Sequence, residues 1–477
     1  MGSSPINRTS WISCPGSYAW AFFCIAGGDK MKWKKLAMVL VAGCCCLGAF
    51  QGAEASIAVT GEKATAGYWI SHTPEADKVL LSPEQINAQN KDMALRDTTL
   101  PDLAAFPETL SGTDVRQHIM AAMQDYWVDT LPEEYAGMEL LTLEQWQKVR
   151  ANCNISNLPQ TVECQYAVTV SRINMRLLPT LEGWYGEPGD VNYDDLQATV
   201  LDPAEPVAVL HKSLDGKFAF VQAGDYQGWV RDSQLAYCDR EDWLRYVNPD
   251  RVAVVTANRK YLDAGDNVQF YQLGASIPVG KVQGETGNLA IANLGLLLPN
   301  RDGQGRLVIE NIPAEYDETL HDGYLPCTRA NFIRMAFKCL GDEYGWGGQN
   351  NSVDCSSFVQ DVYHTMGLNI PRDADHQELA LLKQVKLEGL DMTARYQQVK
   401  QAEPGDLLFK PGHVMMYLGK DEKGTPMVIH SASSYFTFTA GKQKHYIRQV
   451  LVSDLTYQNG AGVQTIDGLT SVAGIWH

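Results

Sequence analysis

The sequence predicts an α+β protein of several domains: a helical N-terminal region, a β-rich middle, and a C-terminal domain in which helices precede antiparallel strands. Three observations lead there. At 477 residues the chain exceeds one ordinary core, and about 100–200 residues per domain implies three or four. Apolar residues recur at helical spacing in Val115, Ile119, Met120, Met123 and Trp127, and again in Phe358, Val359, Val362, Tyr363 and Met366. Between these stripes lie short β-rich runs, Ala204–Leu210 and Lys217–Gln222, bounded by turns at Leu214–Gly216 and Ala223–Asp225.

Taken in order, Met31–Lys35 is a basic head, Leu36–Phe50 an apolar run and Ala53–Ala55 a small-residue site. Together they read as a secretory signal cleaved before Ser56, with residues 1–30 an upstream extension. In a competing reading Val41–Cys44 resembles a lipobox, leaving Cys44 lipidated as a membrane anchor. Simple cleavage is favoured, because a mature chain beginning Cys44, Cys45, Cys46, Leu47 would be unusually apolar. A transmembrane helix is the third reading, and the run is short for one. Cleavage and lipidation both place the protein outside the cytoplasm, in the periplasm or cell envelope.

Residues 1–55 carry five basic and two acidic side chains, so removing them takes the net charge from −17 to −20. That argues against nucleic acid as a partner. Apolar content of 45% with 20% charged residues fits a soluble globular chain. In an oxidising compartment Cys153 and Cys164 could pair across a short loop, while Cys355 should stay free. No C-x-x-C zinc signature is present, and no metal or other cofactor is expected.

The segment from Ser56 to Gln165 (56–165) reads as mostly helical, with a second helix near Leu143–Ala151, its apolar stripes being core. Residues 166–248 form a first β-rich unit. Residues 249–318 form a second, with strands at Val252–Thr256, Gln269–Gln272, Ser276–Val282 and Leu289–Leu298. The last domain, 319–477, opens with a helix capped by Thr328, apolar at Phe332, Ile333, Ala336, Phe337 and Leu340 and ended by Gly341. No low-complexity linker separates these parts, so they are expected to pack together.

The chemistry concentrates in the last domain. Cys355 follows a glycine-rich turn, Tyr344–Gly348, and opens a helix that Gly367 and Pro371 end. A thiol there feels unpaired N–H groups and the positive end of the helix dipole, which favour thiolate. Cys355 is therefore expected to alkylate at pH 6 far faster than the other cysteines. The turn Pro404–Asp406 launches Leu407–Phe409, and Lys410–Gly412 places His413 at the head of a strand running to Gly419. Met427–His430 follows, so His413 and His430 can lie on adjacent antiparallel strands, His430 orienting His413 through a ring hydrogen bond. Taken singly, the cysteine reads as a buried small hydrophobe and each histidine as an ordinary strand residue. Arg372, Asp373, Asp375 and His376 form a charged loop, either solvated with internal ion pairs or in contact with substrate.

The stretches Tyr344–Gly348, Asp354–Phe358, Pro371–Asp373, Pro404–Phe409 and His413–Gly419 resemble the successive motifs of the NlpC-type bacterial cell-wall cysteine peptidases. The resemblance implies a papain-like domain that cleaves peptidoglycan stem peptides, typically between D-γ-glutamate and the following diamino acid. It also implies Cys355 as nucleophile, His413 as base, His430 as orienting residue and Tyr344 as a donor near the developing oxyanion. Asp354 and Ser356 flank Cys355 and could hold the substrate's ammonium group, a role the resemblance supports for Asp354, whose plainer role is helix capping. Ser357 stands where many members have glycine, which touches no catalytic atom. Upstream, Arg172–Thr180, Asp195–Thr199, Glu205–Ser213 and Gly228–Val230 resemble the bacterial SH3-like domain of one branch of these enzymes. There it closes one end of the cleft and the enzymes prefer a free N-terminal L-alanine. The 249–318 segment would be a second, weaker SH3-like barrel. Three alternatives remain: a catalytically silent cell-wall-binding protein, a Cys-His-His zinc hydrolase, and an acyltransferase of related fold.

Overall fold

The computed structural model describes residues 57–123, 126, 130–265, 267–281, 294–381 and 383–474. The secretory-signal and lipobox readings, Cys44 included, lie outside the described residues, as does Trp127. Among the described residues no helix is long and apolar enough to cross a membrane.

In the C-terminal domain, helices Arg329–Ala336 and Cys355–His364 pack on a six-stranded antiparallel sheet. Its strand order is Lys383–Lys386, Ser471–Gly474, Leu407–Lys410, His413–Lys420, Pro426–Thr437 and Gln443–Ser453. Period-two alternation decides its faces. Val414, Met416 and Leu418 join the core beneath the helices, whereas Met415 and Tyr417 join a second cluster on the opposite face. Thr328 caps the first helix by accepting from the Asn331 N–H, and Gly341, at φ 84°, follows its last turn.

Residues 165–238 form a seven-stranded antiparallel sheet with both faces covered. Val207, Val209, Ala219 and Val221 fill one cluster, and Ala208, Leu210, Phe218 and Phe220 the other. Residues 252–322 supply a five-stranded sheet, with a separate hairpin of Arg259–Asp263 against Val268–Gln272. The strands expected at Ser276–Val282 and Leu289–Leu298 are seen as Ser276–Gly280 and Gly295–Arg301, and residues 282–293 lie outside the described set.

The segment before residue 165 divides between two cores. Trp69, Leu81, Ile86 and Met93 belong to the core of the C-terminal domain, and strand Val79–Leu81 pairs with Cys327–Thr328. Val115, Ile119, Met123 and Trp146 pack instead with the buried aromatics of the seven-stranded sheet. Single-element stripes show that a face is buried, not which partner buries it. Cys153 and Cys164 are both free and buried, so the pairing that the sequence left open is not formed; the Cys153 sulfur lies 3.5 Å from the Met123 sulfur.

The contact that positions the site runs from the seven-stranded sheet to the glycine turn. Gln197 Nε2 donates to the Gly347 carbonyl at 2.9 Å, and Trp346 Nε1 donates to the Asp194 carbonyl at 3.1 Å. Gly348 has φ 79°, and a Cβ there would meet Val200 Cγ2 at 2.4 Å. Gly348→Ala therefore combines backbone strain with overpacking and should destabilise the protein by about 1–3 kcal/mol. Equilibrium denaturation of the two proteins measures it, and an unchanged midpoint contradicts it.

Candidate active site

Cys355 is the first residue of its helix and is 8% exposed. Asp354 is the cap. Its carboxylate accepts from the Ser357 N–H at 2.9 Å, while the Ser357 hydroxyl accepts from the Asp354 N–H at 2.9 Å, a reciprocal capping box. Ser357 is thus the residue that closes the box.

The Asp354 carboxylate is filled by its own chain. Gly347 N–H donates to Oδ2 at 3.1 Å, Ser356 Oγ to Oδ1 at 3.2 Å, and Arg372 binds it bidentately at 3.2 and 2.6 Å. Arg372 also donates to Ser356 Oγ at 2.8 Å and to Thr199 Oγ1, on the seven-stranded sheet, at 2.8 Å. Burial raises the Asp354 carboxyl, but the Arg372 guanidinium and the donated hydrogen bonds outweigh it and hold the group below its ordinary value. Asp354 and Ser356 therefore sit in a buried network with Arg372, and neither presents an unpaired group to the cleft. The charged loop divides: Arg372 is 4% exposed and His376 Nδ1 bonds Asp97 of the N-terminal segment at 2.7 Å, whereas Asp375 is exposed.

His413 and His430 meet across paired antiparallel strands, Nε2 of His413 lying 2.8 Å from Nδ1 of His430. The next bond fixes the protons. His430 Nε2 lies 3.1 Å from Ser453 Oγ, whose own hydrogen goes to the Asp454 carbonyl at 2.9 Å. Ser453 must accept from His430 Nε2–H, so neutral His430 presents Nδ1 as an acceptor and His413 donates to it from Nε2–H. That leaves His413 Nδ1 as the unprotonated nitrogen. The Cys355 helix packs on the strand that His413 heads, and the backbone N–H of Val414, the next residue, favours the charged form of the thiol.

Burial, then the charges of Lys410 and His430, hold the His413 imidazolium value well below the ordinary one. Burial and Lys410 bring His430 down to about 3. Burial pushes the Cys355 thiol up to about 12 with the Asp354 carboxylate adding to it, against the Val414 N–H and Arg372. Both directions favour thiol and neutral imidazole at rest, against the standing thiolate expected from the helix N-terminus. Lys410 was missed from the sequence. It faces His413 across a two-residue turn, and burial lowers its ammonium to about 8 while Cys355 pulls the other way. Burial holds Tyr344 well above its ordinary value, with the charges of Cys355 and Asp354 adding, so its hydroxyl remains a donor. Among the described residues no group of three or more His, Cys, Asp or Glu is arranged to hold a metal ion.

Residues 341–455 match the NlpC/P60 family model, which spans the glycine turn, the cysteine and both histidines. The C-terminal domain is an NlpC/P60 domain. Residues 184–231 match the SH3 domain model of SH3b1 type, so an SH3b domain precedes the NlpC/P60 domain. A dipeptidyl-peptidase 6 of Lysinibacillus sphaericus is 32% identical over 93 residues, 19% of this chain and 30% of that protein. The match thus spans about 30% of that relative's length. An NlpC/P60 endopeptidase of Photobacterium damselae subsp. piscicida shares the fold with a TM-score of 0.70, at 17% identity over 89% of this chain and 98% of that one.

Two outcomes follow from this geometry. Because burial holds His413 below the ordinary histidine range, the acidic limb of kcat/KM should lie below that range, and alkylation of Cys355 should rise steadily from pH 6 to 9. A rate of iodoacetamide labelling already at its plateau at pH 6 would show a thiolate–imidazolium pair instead. Arg372→Ala strands a buried carboxylate and should cost about 3–5 kcal/mol, read by chemical denaturation.

Proposed function

We propose that this protein is a cysteine peptidase that hydrolyses peptidoglycan stem peptides at the D-γ-glutamyl–diamino acid bond. The observation that carries the reading is the directed proton chain from Ser453 through His430 to His413, beside a cysteine that opens a helix. His413 Nδ1 takes the thiol proton as the Cys355 sulfur attacks the scissile carbonyl carbon. The Cys355 backbone N–H and the Tyr344 hydroxyl donate to the oxyanion. Collapse of the tetrahedral intermediate breaks the C–N bond, and the His413 imidazolium protonates the departing amine. Water that gives a proton to His413 then attacks the thioester, and its breakdown restores the thiol.

The substrate class is supported by the NlpC/P60 and SH3b matches and by the dipeptidyl-peptidase relative. Preference for a free N-terminal L-alanine is proposed because the SH3b strand carrying Gln197 and Thr199 abuts the Gly347 turn and Arg372 and so closes one side of the cleft. Export to the periplasm or cell envelope is proposed from the Met31–Ala55 pattern.

Mass spectrometry of a digest of defined muropeptides tests the reaction. Cleavage after D-γ-glutamate should fall by at least about four orders of magnitude in Cys355→Ala and nearly as far in His413→Ala, since the two act as a unit. His430→Ala should lose less, water replacing part of its orienting role. Chelators should leave the rate unchanged while alkylation abolishes it; the reverse pattern would make this a zinc enzyme, and transfer to added amines an acyltransferase. N-acetylation of the tripeptide removes a charge and adds bulk at the closed side of the cleft, at about 2–4 kcal/mol, so kcat/KM should drop roughly 30- to 900-fold. A ratio near one would indicate an open cleft and intact wall as substrate.

A further inference from the structure

Arg448 occupies an unusual place in the hairpin that carries His430. The pairing register shifts there: Ala432 faces Gln449 and Ser434 faces Tyr446, so Ile447 and Arg448 together oppose Ser433. This is a β-bulge, and Arg448 takes φ 39°, the left-handed region that a branched or bulky side chain rarely enters. Bulges beside active sites re-aim side chains, and strain of this kind persists where the surroundings enforce it. Here the Arg448 carbonyl accepts from the Tyr344 N–H at 2.9 Å, which ties the bulge to the residue set beside Cys355.

The guanidinium is held by rings, not by hydrogen bonds. It lies 4.4 Å from the Tyr446 ring centroid and 5.6 Å from that of Tyr193. Tyr193 in turn stands 6.2 Å from the Tyr344 ring. Arg448 Nε is buried with no hydrogen-bond partner among the described residues. Asp190 approaches no closer than 3.8 Å, and the oxygen concerned already accepts from Asn192. A guanidinium set against two aromatic rings, with Asp190 at 3.8 Å and its own carbonyl tied to Tyr344, has donors left to offer an anion.

We propose that Arg448 is a specificity-determining residue that binds a free carboxylate of the peptide substrate beside the scissile bond. The inference rests on the peptidase reading. The chemistry has two sources in a γ-D-glutamyl–diamino acid peptide, the α-carboxylate of the glutamate and the carboxylate of the diamino acid.

The test is calorimetric binding to full-length Cys355→Ala of L-Ala-γ-D-Glu-diamino acid and of the same peptide with each carboxylate in turn made a carboxamide. One carboxamide should weaken binding about 10- to 100-fold, and its position names the source. In Cys355→Ala/Arg448→Asn, where asparagine tolerates the left-handed backbone, acid and amide should bind alike, and Arg448→Lys should keep part of the preference. A preference unchanged in Arg448→Asn, or no loss with either carboxamide, overturns the inference. Hydrolysis by the wild type with such an unchanged preference sinks Arg448 alone. Arg448-dependent binding without hydrolysis sinks the peptidase reading alone.

Discussion

The buried pair of Asp354 and Arg372 is the constraint on which the rest of the site depends. Two charges taken out of water cost several kcal/mol each, which their attraction offsets only when the remaining lone pairs and protons are satisfied. Here they are: the carboxylate receives Gly347, Ser356 and Ser357, and the guanidinium reaches Ser356 and Thr199. Such a pair adds little net stability over a hydrophobic replacement. It fixes in one place the start of the Cys355 helix, the glycine turn that carries Tyr344, and the edge of the SH3b domain. Because Thr199 belongs to that domain, the position of Cys355 is tied to how the SH3b sheet sits.

Around this anchor the electrostatics keep the reacting pair neutral until substrate arrives. Burial opposes charge on both the thiol and the imidazole, and Lys410 adds to that for the histidines. Ser453, locked onto the Asp454 carbonyl, then sets the direction of the proton chain. The neutral pair does not weaken the mechanism. General-base removal of the proton during attack needs only that His413 be unprotonated and correctly tautomeric, and both conditions are met. The ammonium of Lys410 stands near the sulfur and would favour the charged state once it forms.

Local chemistry was legible in the sequence and long-range packing was not. The helix opened by Cys355, the Thr328 cap and the two histidine strands follow from spacing and turn residues within about ten positions, and they stand where those signals put them. Arg372 looked like one charge in a polar loop, because its partners Asp354 and Thr199 are 18 and 173 residues away. Ser453 escaped notice because it lies 23 residues from His430, and Lys410 because only strand register shows that it faces His413. The N-terminal segment gave correct stripes without their destinations, since a stripe is equally apolar whichever core it enters. Helix-dipole reasoning pointed to thiolate because it includes the favourable field but not the burial and the neighbouring carboxylate that oppose it.

The central claim is that Cys355 becomes acylated by the N-terminal half of a stem peptide. Rapid acid quench of the full-length protein turning over L-Ala-γ-D-Glu-diamino acid, followed by peptide mapping with mass spectrometry, measures this directly. The account predicts a thioester on the peptide containing Cys355, with the mass of an alanyl-glutamyl acyl group, forming before the free dipeptide is released. Steady hydrolysis of that substrate by Cys355→Ala, or the adduct on another residue, would contradict it.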